Sequence, residues 1–292
     1  MKRPKITVIG SINMDMVTKA DLIPEQGETI LGTDFQMIPG GKGANQAVAA
    51  SRLGAEVTMI GCVGDDAFSD VALLNLQTEG VATSGVKRVA GTPTGVANII
   101  LTEGDNRIIV VPGANHALTA ADVLCNEETI INSDLIMMQL EIPLDTVAAV
   151  VEMAAALGIP VLLNPAPVQK LSMDLLERVT FLTPNETEAQ ALALPEHLRD
   201  KLIVTLGEKG AAYTADGQAQ RVPGNSVKVV DTTGAGDTFN GALAVQVARG
   251  EKLERAIRFA NAAAALSVTA FGAQAGMPEE KDVLNFLDFQ DE

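Results

Sequence analysis

The stretch GGKGANQAVAASRLGAEVTMIGCVG (residues 40–64) decides the fold class. Its first half opens on glycines, becomes Ala-rich and stops at Gly54, as a helix does. Its second half, EVTMIGCVG (56–64), is a short apolar run, the pattern of a strand covered on both faces. Upstream, KITVIG (5–10) is another apolar run ending in Gly, so the N-terminal third spells strand, helix, strand. The alternation continues with a helix near 66–79, a strand at 134–140 and a helix over 144–157. Further strands are expected at 159–164, 179–185 and 201–207, and closing helices at 235–249 and 251–269. Strands separated by helices predict βαβ units, hence an α/β fold with a mostly parallel sheet between helical layers.

Two stretches break the rhythm. Residues 13–38 and about 94–112 show period-2 segments and turns without a helical pattern. They are expected to pair into one small antiparallel sheet that leaves the α/β body and acts as a lid. No linker rich in Pro, Gly and Ser divides the chain, so residues 1–292 read as a single α/β domain with that lid. An exposed lid edge invites pairing with a second copy, which predicts a homodimer.

The formal charge of −16 argues against a nucleic-acid or anionic-membrane partner, because phosphate backbones need a basic footprint. Small anionic ligands stay open, since backbone amides hold them without net positive charge. Cys62 and Cys125 form no CxxC pair, and both are expected to be buried, reduced thiols. The N-terminus lacks the apolar core of a signal peptide, and no apolar run reaches the ~18 residues of a membrane span. These features predict a cytoplasmic chain.

The run VDTTGAGDTF (230–239) concentrates backbone freedom and two carboxylates at the mouth of a helix. The first amides of a helix have no internal partner, and small residues let an anion approach them. Gly234, Ala235, Gly236 and Asp237 thus read as an anion hole. Asp237 has two readings: a helix cap, or a base that takes a proton from an alcohol while the amides hold a phosphoryl group. In GGKGANQA (40–47) the spacing is not that of a P-loop. Its glycines serve either as a turn and lid hinge or as amides facing a polyhydroxyl ligand. In SINMD (11–15), Asn13 and Asp15 follow the first strand, where α/β sheets bind ligands. The two make a turn or clamp vicinal hydroxyls. Asn185 and Glu188 in TPNETE (183–188) have capping-box spacing; the alternative is a carboxylate that holds Mg²⁺ through water.

Together these segments resemble the ribokinase/PfkB carbohydrate kinase family. The likeness runs over nearly the whole chain, through GSINMD (10–15), GGKGANQAVAA (40–50), MQLE (138–141) and LNPAP (163–167). It continues through TPNETEA (183–189), TLGEKG (205–210), VDTTGAGDTFNGAL (230–243) and AIRFANAAAALSVT (256–269). The resemblance implies a ribokinase-like three-layer α/β/α sandwich with a small β-sheet lid. It implies ATP-dependent phosphorylation of D-ribose at O5, with Asp237 as the base and the amides of Ala235, Gly236 and Asp237 on the phosphoryl. Asn13, Asp15, Gly41, Lys42, Gly43, Asn45 and Glu141 match sugar-contacting positions. Asn185, Thr205, Leu206, Gly207, Gly210, Gly236 and Asn261 match nucleotide positions, and Glu188 the one associated with Mg²⁺. A monovalent cation, usually K⁺, is implied near Asp231, Thr233, Ser267, Ala270, Gly272 and Gly276. Two departures stand out: Gly at 276 where the family often has Ser, and a shortened segment over 189–207.

Other classes fit less well. A dinucleotide oxidoreductase needs G-x-G-x-x-G after the first strand, where this chain reads GSINMD. A sugar-binding protein without catalysis would lose Asp237 or the glycines, and all are present. His116 and His197 sit in no motif and read as surface or loop residues. A nucleoside or other-sugar kinase is the near alternative. With 3% aromatics and no Trp, the chain suits a free sugar better than a stacked nucleobase.

Overall fold

The computed structural model describes residues 3–102, 105–215 and 217–291. The strands are β1 (Lys5–Ile9), β2 (Asn13–Lys19), β3 (Asp34–Gly40), β4 (Glu56–Val63), β5 (Val81–Arg88), β6 (Gly95–Thr102) and β7 (Asp105–Val111). They continue as β8 (Leu135–Met138), β9 (Val161–Leu163), β10 (Phe181–Leu182), β11 (Ile203–Thr205), β12 (Ala211–Ala215) and β13 (Gln218–Val222). The helices are α1 (Lys42–Arg52), α2 (Ala67–Thr78), α3 (Ala120–Leu124), α4 (Glu127–Ile131) and α5 (Leu144–Leu157). They are followed by α6 (Met173–Arg178), α7 (Glu186–Leu192), α8 (Ala235–Ala248), α9 (Leu253–Ser267) and α10 (Glu280–Asp291).

Six strands form a sheet in the order β10-β9-β8-β1-β4-β5, every pair parallel. Alternate side chains feed two separate cores. Leu135 and Met137 of β8 join one with α1, α8 and α9; Ile136 and Met138 join the other with α5 and α6. A strand that must be apolar on both faces explains why these runs do not alternate in hydropathy. The result is the expected three-layer sandwich. Helix α5 shows how sequence sets such a layer: Val147, Val150, Val151 and Ala154 recur at helical spacing and are buried. It ends at Gly158, whose φ of 70° is the left-handed cap that glycine adopts without strain. Burying one such valine is worth about 1.5–3 kcal/mol. Among the described residues no helix is long and apolar enough to cross a membrane.

Three features differ from the sequence reading. The two stretches outside the rhythm do pair, in the order β3-β2-β6-β7, but β2 and β6 run parallel, so this sheet is mixed rather than antiparallel. Both inner strands run outward from the same end of the body, and β3 and β7 return outside them. Residues 103–104 of the second stretch lie outside the described residues. Strand β11 joins an antiparallel β11-β12-β13 sheet, and the isolated parallel bridges Leu182–Leu202 and Asn185–Thr205 link this region to the end of the parallel sheet. The antiparallel partner of β11 is supplied by the local hairpin of β12 and β13. Cys62 is buried as expected, its thiol pushed up to about 11 by burial, whereas Cys125 is exposed just after α3. The 189–207 segment, expected to be short for the family, contains the end of α7, the 3₁₀ turn Glu196–Lys201 and β11.

Candidate active site

The mouth of α8 is brought to α1 by small residues. A Cβ on Gly241 would lie 2.6 Å from the Cβ of Ala49 and 2.9 Å from the backbone nitrogen of Ala50. Only glycine lets the two helices approach this closely. The N-cap, Gly234, has φ 77°, and a Cβ there would sit 2.9 Å from Ala273. The glycine is needed for its left-handed turn and for this contact. The Ala235 amide donates to the Thr232 carbonyl at 3.2 Å. Of the three amides expected to open the anion hole, those of Gly236 and Asp237 have no hydrogen-bond partner among the described residues. The space a Cβ on Gly236 would enter is open.

Asp237 is buried, and both of its oxygens are held. Asn45 Nδ2 donates to Oδ2 at 3.0 Å, and Gln46 Nε2 donates to Oδ1 at 3.1 Å. Burial raises its pKa; the nearby Lys42 and the two amide bonds oppose that rise. The cap reading fails because the carboxylate turns inward to α1 and makes no capping bond.

The residues expected to contact a sugar gather around it. Asp15 is pushed up to about 7, first by burial and then by Glu141 and Asp237. Burial alone would lower the pKa of Lys42, but Asp237, Glu141, Glu188 and Asp15 outweigh it and raise it. Glu141 accepts from Ser11 Oγ at 2.5 Å and from the Lys42 amide at 3.1 Å. Asn13 is buried and accepts from Asn115 Nδ2 at 2.7 Å. Two glycines of the 40–47 run make this crowding possible. Gly41 has φ 90° at the N-cap of α1, and a Cβ on Gly43 would stand 2.5 Å from the Ser11 amide.

On the other side of α8 lies a cavity of about 680 Å³ lined by Thr205, Gly207, Gly210, Gly236, Phe239 and Asn261, among others. A smaller cavity of about 150 Å³ is lined by Lys42, Asn185, Glu188, Thr205, Gly236 and Asp237. Gly236 and Thr205 line both, so the two spaces meet beside the unpartnered amides. Asn261 directs its Nδ2 to the carbonyls of Val222 and Pro223, at 3.2 and 3.1 Å. Leu206 lines neither space; its amide donates to the Gly210 carbonyl at 2.8 Å.

Asn185 and Glu188 form the expected capping box: Asn185 Oδ1 accepts from the Glu188 amide, and Glu188 Oε2 from the Asn185 amide, both at 2.9 Å. Glu188 keeps its second oxygen free of this box. Asp231 accepts from the amide and hydroxyl of Thr233, at 2.9 and 2.7 Å, and from the Gly272 amide at 2.9 Å. Burial works against its charge, but these bonds outweigh it and lower its pKa. Ser267 Oγ donates to Ala264 at 2.9 Å. A side chain at 276 would collide with the Ser267 carbonyl, so the glycine there reflects a close backbone approach. Ala270 lies between these two segments in the turn after α9.

Sequence reasoning missed several side chains. Gln46 stands next to Asn45 inside a quoted motif, and Asn164 inside LNPAP, so position in a motif was the available signal. Ser11, Gln139, Thr183 and Asn240 also lie inside quoted segments, whereas Asn115 and Gln274 gave no such sign; the partners of all six lie tens to hundreds of residues away.

The family model for pfkB family carbohydrate kinases matches residues 3–280. The ribokinase of Bacillus subtilis strain 168 is 48% identical over 289 residues, covering 97% of this chain and 99% of that relative. The crystal structure of ribokinase from Thermotoga maritima, 38% identical, matches with a TM-score of 0.87 over 97% of this chain and 99% of its own. Arabidopsis thaliana ribokinase complexed with ribose and ATP, 34% identical, matches with a TM-score of 0.89 over 99% and 100%.

Proposed function

The chain belongs to the pfkB family of carbohydrate kinases, and from that premise we propose that it phosphorylates D-ribose at O5 with ATP. The single observation that supports this reading best is Asp237: a buried carboxylate beside the open amides of Gly236 and its own, where two cavities meet. The larger cavity suits the nucleotide, whose terminal phosphate would rest on those amides and the positive end of the α8 dipole. Asn13, Asp15, Asn45, Lys42 and Glu141 suit the hydroxyls of a free sugar.

The 5-hydroxyl oxygen attacks the terminal phosphorus, its bond to phosphorus forms, and the bond to the bridging oxygen of ADP breaks. The hydroxyl proton passes to Asp237. The burial that raises the pKa of Asp237 makes it a better acceptor for that proton. Lys42 and the amides offset the charge on the phosphoryl oxygens during transfer.

Mg²⁺ fits the free oxygen of Glu188, a hard donor suited to a water-mediated contact; bound there, it would neutralise nucleotide phosphate charge. Among the described residues no three His, Cys, Asp or Glu side chains cluster as ligands, consistent with an ion held mainly by phosphate and water. The carboxylate of Asp231 and backbone carbonyls of the turn over 267–276 would supply K⁺ with the oxygen donors that it prefers. Held there, the ion would steady the loop that leads into α8.

We also assign the β3-β2-β6-β7 sheet as a lid and its outer face as a homodimer contact. Register places Met37, Met16, Asn98 and Ile109 in one row, apolar but for the exposed Asn98, and Phe35, Met37 and Ile109 are more than half exposed. An apolar face of this kind marks an interaction surface. The setting is cytoplasmic, where ATP is available.

The test is one ADP-release assay across D-ribose, 2-deoxyribose, D-fructose and adenosine. D-Ribose is expected to give the highest kcat/KM, and a preference for adenosine or the hexose would overturn the assignment.

A further inference from the structure

Side-chain amides converge on Asp237 from two directions, and each carries a second amide behind it. On one side Asn75 Nδ2 donates to Gln274 Oε1 at 2.7 Å, Gln274 Nε2 to Asn45 Oδ1 at 2.9 Å, and Asn45 Nδ2 to Asp237 Oδ2 at 3.0 Å. On the other, Gln139 Nε2 donates to Gln46 Oε1 at 2.7 Å, and Gln46 Nε2 donates to Asp237 Oδ1 at 3.1 Å. Gln46 spends its second N–H on Asn164 Oδ1 at 3.3 Å. Gln46 and Gln139 are fully buried, and Asn45 and Gln274 nearly so.

We propose that these two relays lock the orientation of the general base and hold it in its charged form, making Gln46, Gln139, Gln274 and Asn75 positioning residues for phosphoryl transfer. The inference rests on Asp237 as the base. An amide has one donating and one accepting end, whereas a carboxylate only accepts. With Asn45 and Gln46 turned nitrogen-first to Asp237, their oxygens face away and require donors, which Gln274 and Gln139 supply. Gln139 bears a cost for this: its Oε1 is buried without a partner. An apolar residue of that size would avoid the cost, so what the amide contributes is its bond to Gln46.

Hydrogen bonds to the charged form lower a carboxylate's pKa and so counter the burial that raises it. The charged groups facing Asp237 are Lys42 from the start of α1, Glu141 after β8 and Asp15 on β2. Glu188 from α7 bears on Lys42. All four persist in the variants below, so a shift among them reports the amides.

The experiment is the pH dependence of kcat for wild type, Gln46→Leu, Gln139→Leu, the double variant and Asn75→Ala, with ribose KM and Tm measured alongside. Removing the Gln46 donor is expected to move the acid limb up by about one pH unit, with ribose KM held within about two-fold. Gln139→Leu and Asn75→Ala should shift it in the same direction by less. The double variant should match Gln46→Leu alone, because Gln139 acts only through Gln46. A limb that stays fixed while kcat and Tm fall together, or losses that add, would overturn the relay. Asn75 is half-buried on α2, outside the site, so Asn75→Ala decides the matter if the buried variants do not fold: an unmoved limb overturns the relay. If Asp237→Asn keeps turnover, the base assignment itself is wrong. If Asp237→Asn is inactive while every relay variant keeps the wild-type limb, only the relay is wrong.

Discussion

The proposed sugar-side wall gathers Asp15, Glu141, Asp237 and Lys42; burial raises the carboxyls of Asp15 and Asp237, and the surrounding carboxylates raise Lys42 against its burial. The proposed nucleotide-side wall, from Thr205 to Val268, surrounds a cavity of about 680 Å³ with glycines, apolar side chains, Asn261 and the exposed Glu208 and Lys209. On the proposed function, the first wall would discriminate by placing desolvated charge against hydroxyls, where a missing partner is costly. The second would accept its ligand by shape and by amides at a helix mouth. Substitutions on the two walls should therefore fail differently, in rate and pH dependence on the first and in ATP affinity on the second.

The largest effect belongs to the point where the walls meet. Asp237→Asn should lower kcat by about 10²–10⁴-fold, the usual cost of losing a general base, while ribose KM changes little. Steady-state kinetics at saturating ATP decide it, and near-normal turnover would break the distinction. Gly236→Val should lower kcat/KM for ATP by about 10–100-fold with Tm unchanged. The added side chain has room in the fold but stands in the passage shared by both cavities.

Asp15→Asn probes the charged wall through stability. Its carboxyl is raised from 3.8 to about 7, so the native state favours the protonated form. The stability this group contributes is full below about 3.8 and lost as pH rises through about 7. Asn removes that loss, so the variant should gain about 1–3 kcal/mol over wild type at pH 8 and far less at pH 4.5, after allowing for solvent screening. Thermal melts at the two pH values check the sign, and ribose binding should weaken. The smallest effect expected is a several-fold activation by K⁺ over Na⁺, because an ion at Asp231 acts through the loop leading into α8 rather than on the reacting groups. A coupled assay in each salt measures it.

Much of this was legible from residue order. Buried strands and Ala-rich helices announce themselves by local pattern, which is why the parallel sheet and α5, with its bounds at 144 and 157, read directly. The helix mouth at 234–237 was legible because glycine spacing and a nearby carboxylate are local too. What escaped depends on distant pairing. The parallel run of β2 beside β6 joins residues about 80 apart, which no period-2 pattern encodes. The Gln139–Gln46 and Gln274–Asn45 bonds span 93 and 229 residues, and a lone glutamine looks the same whether solvated or buried. Cys125 was misjudged because a thiol's burial is set by where its helix ends, not by its composition.

The most direct test is a crystal grown with D-ribose and a non-hydrolysable ATP analogue. The terminal phosphate should rest on the amides of Gly236 and Asp237, with the sugar's 5-hydroxyl within hydrogen-bond reach of the Asp237 carboxylate. A phosphate bound elsewhere, or a sugar presenting another hydroxyl to that carboxylate, would contradict the account.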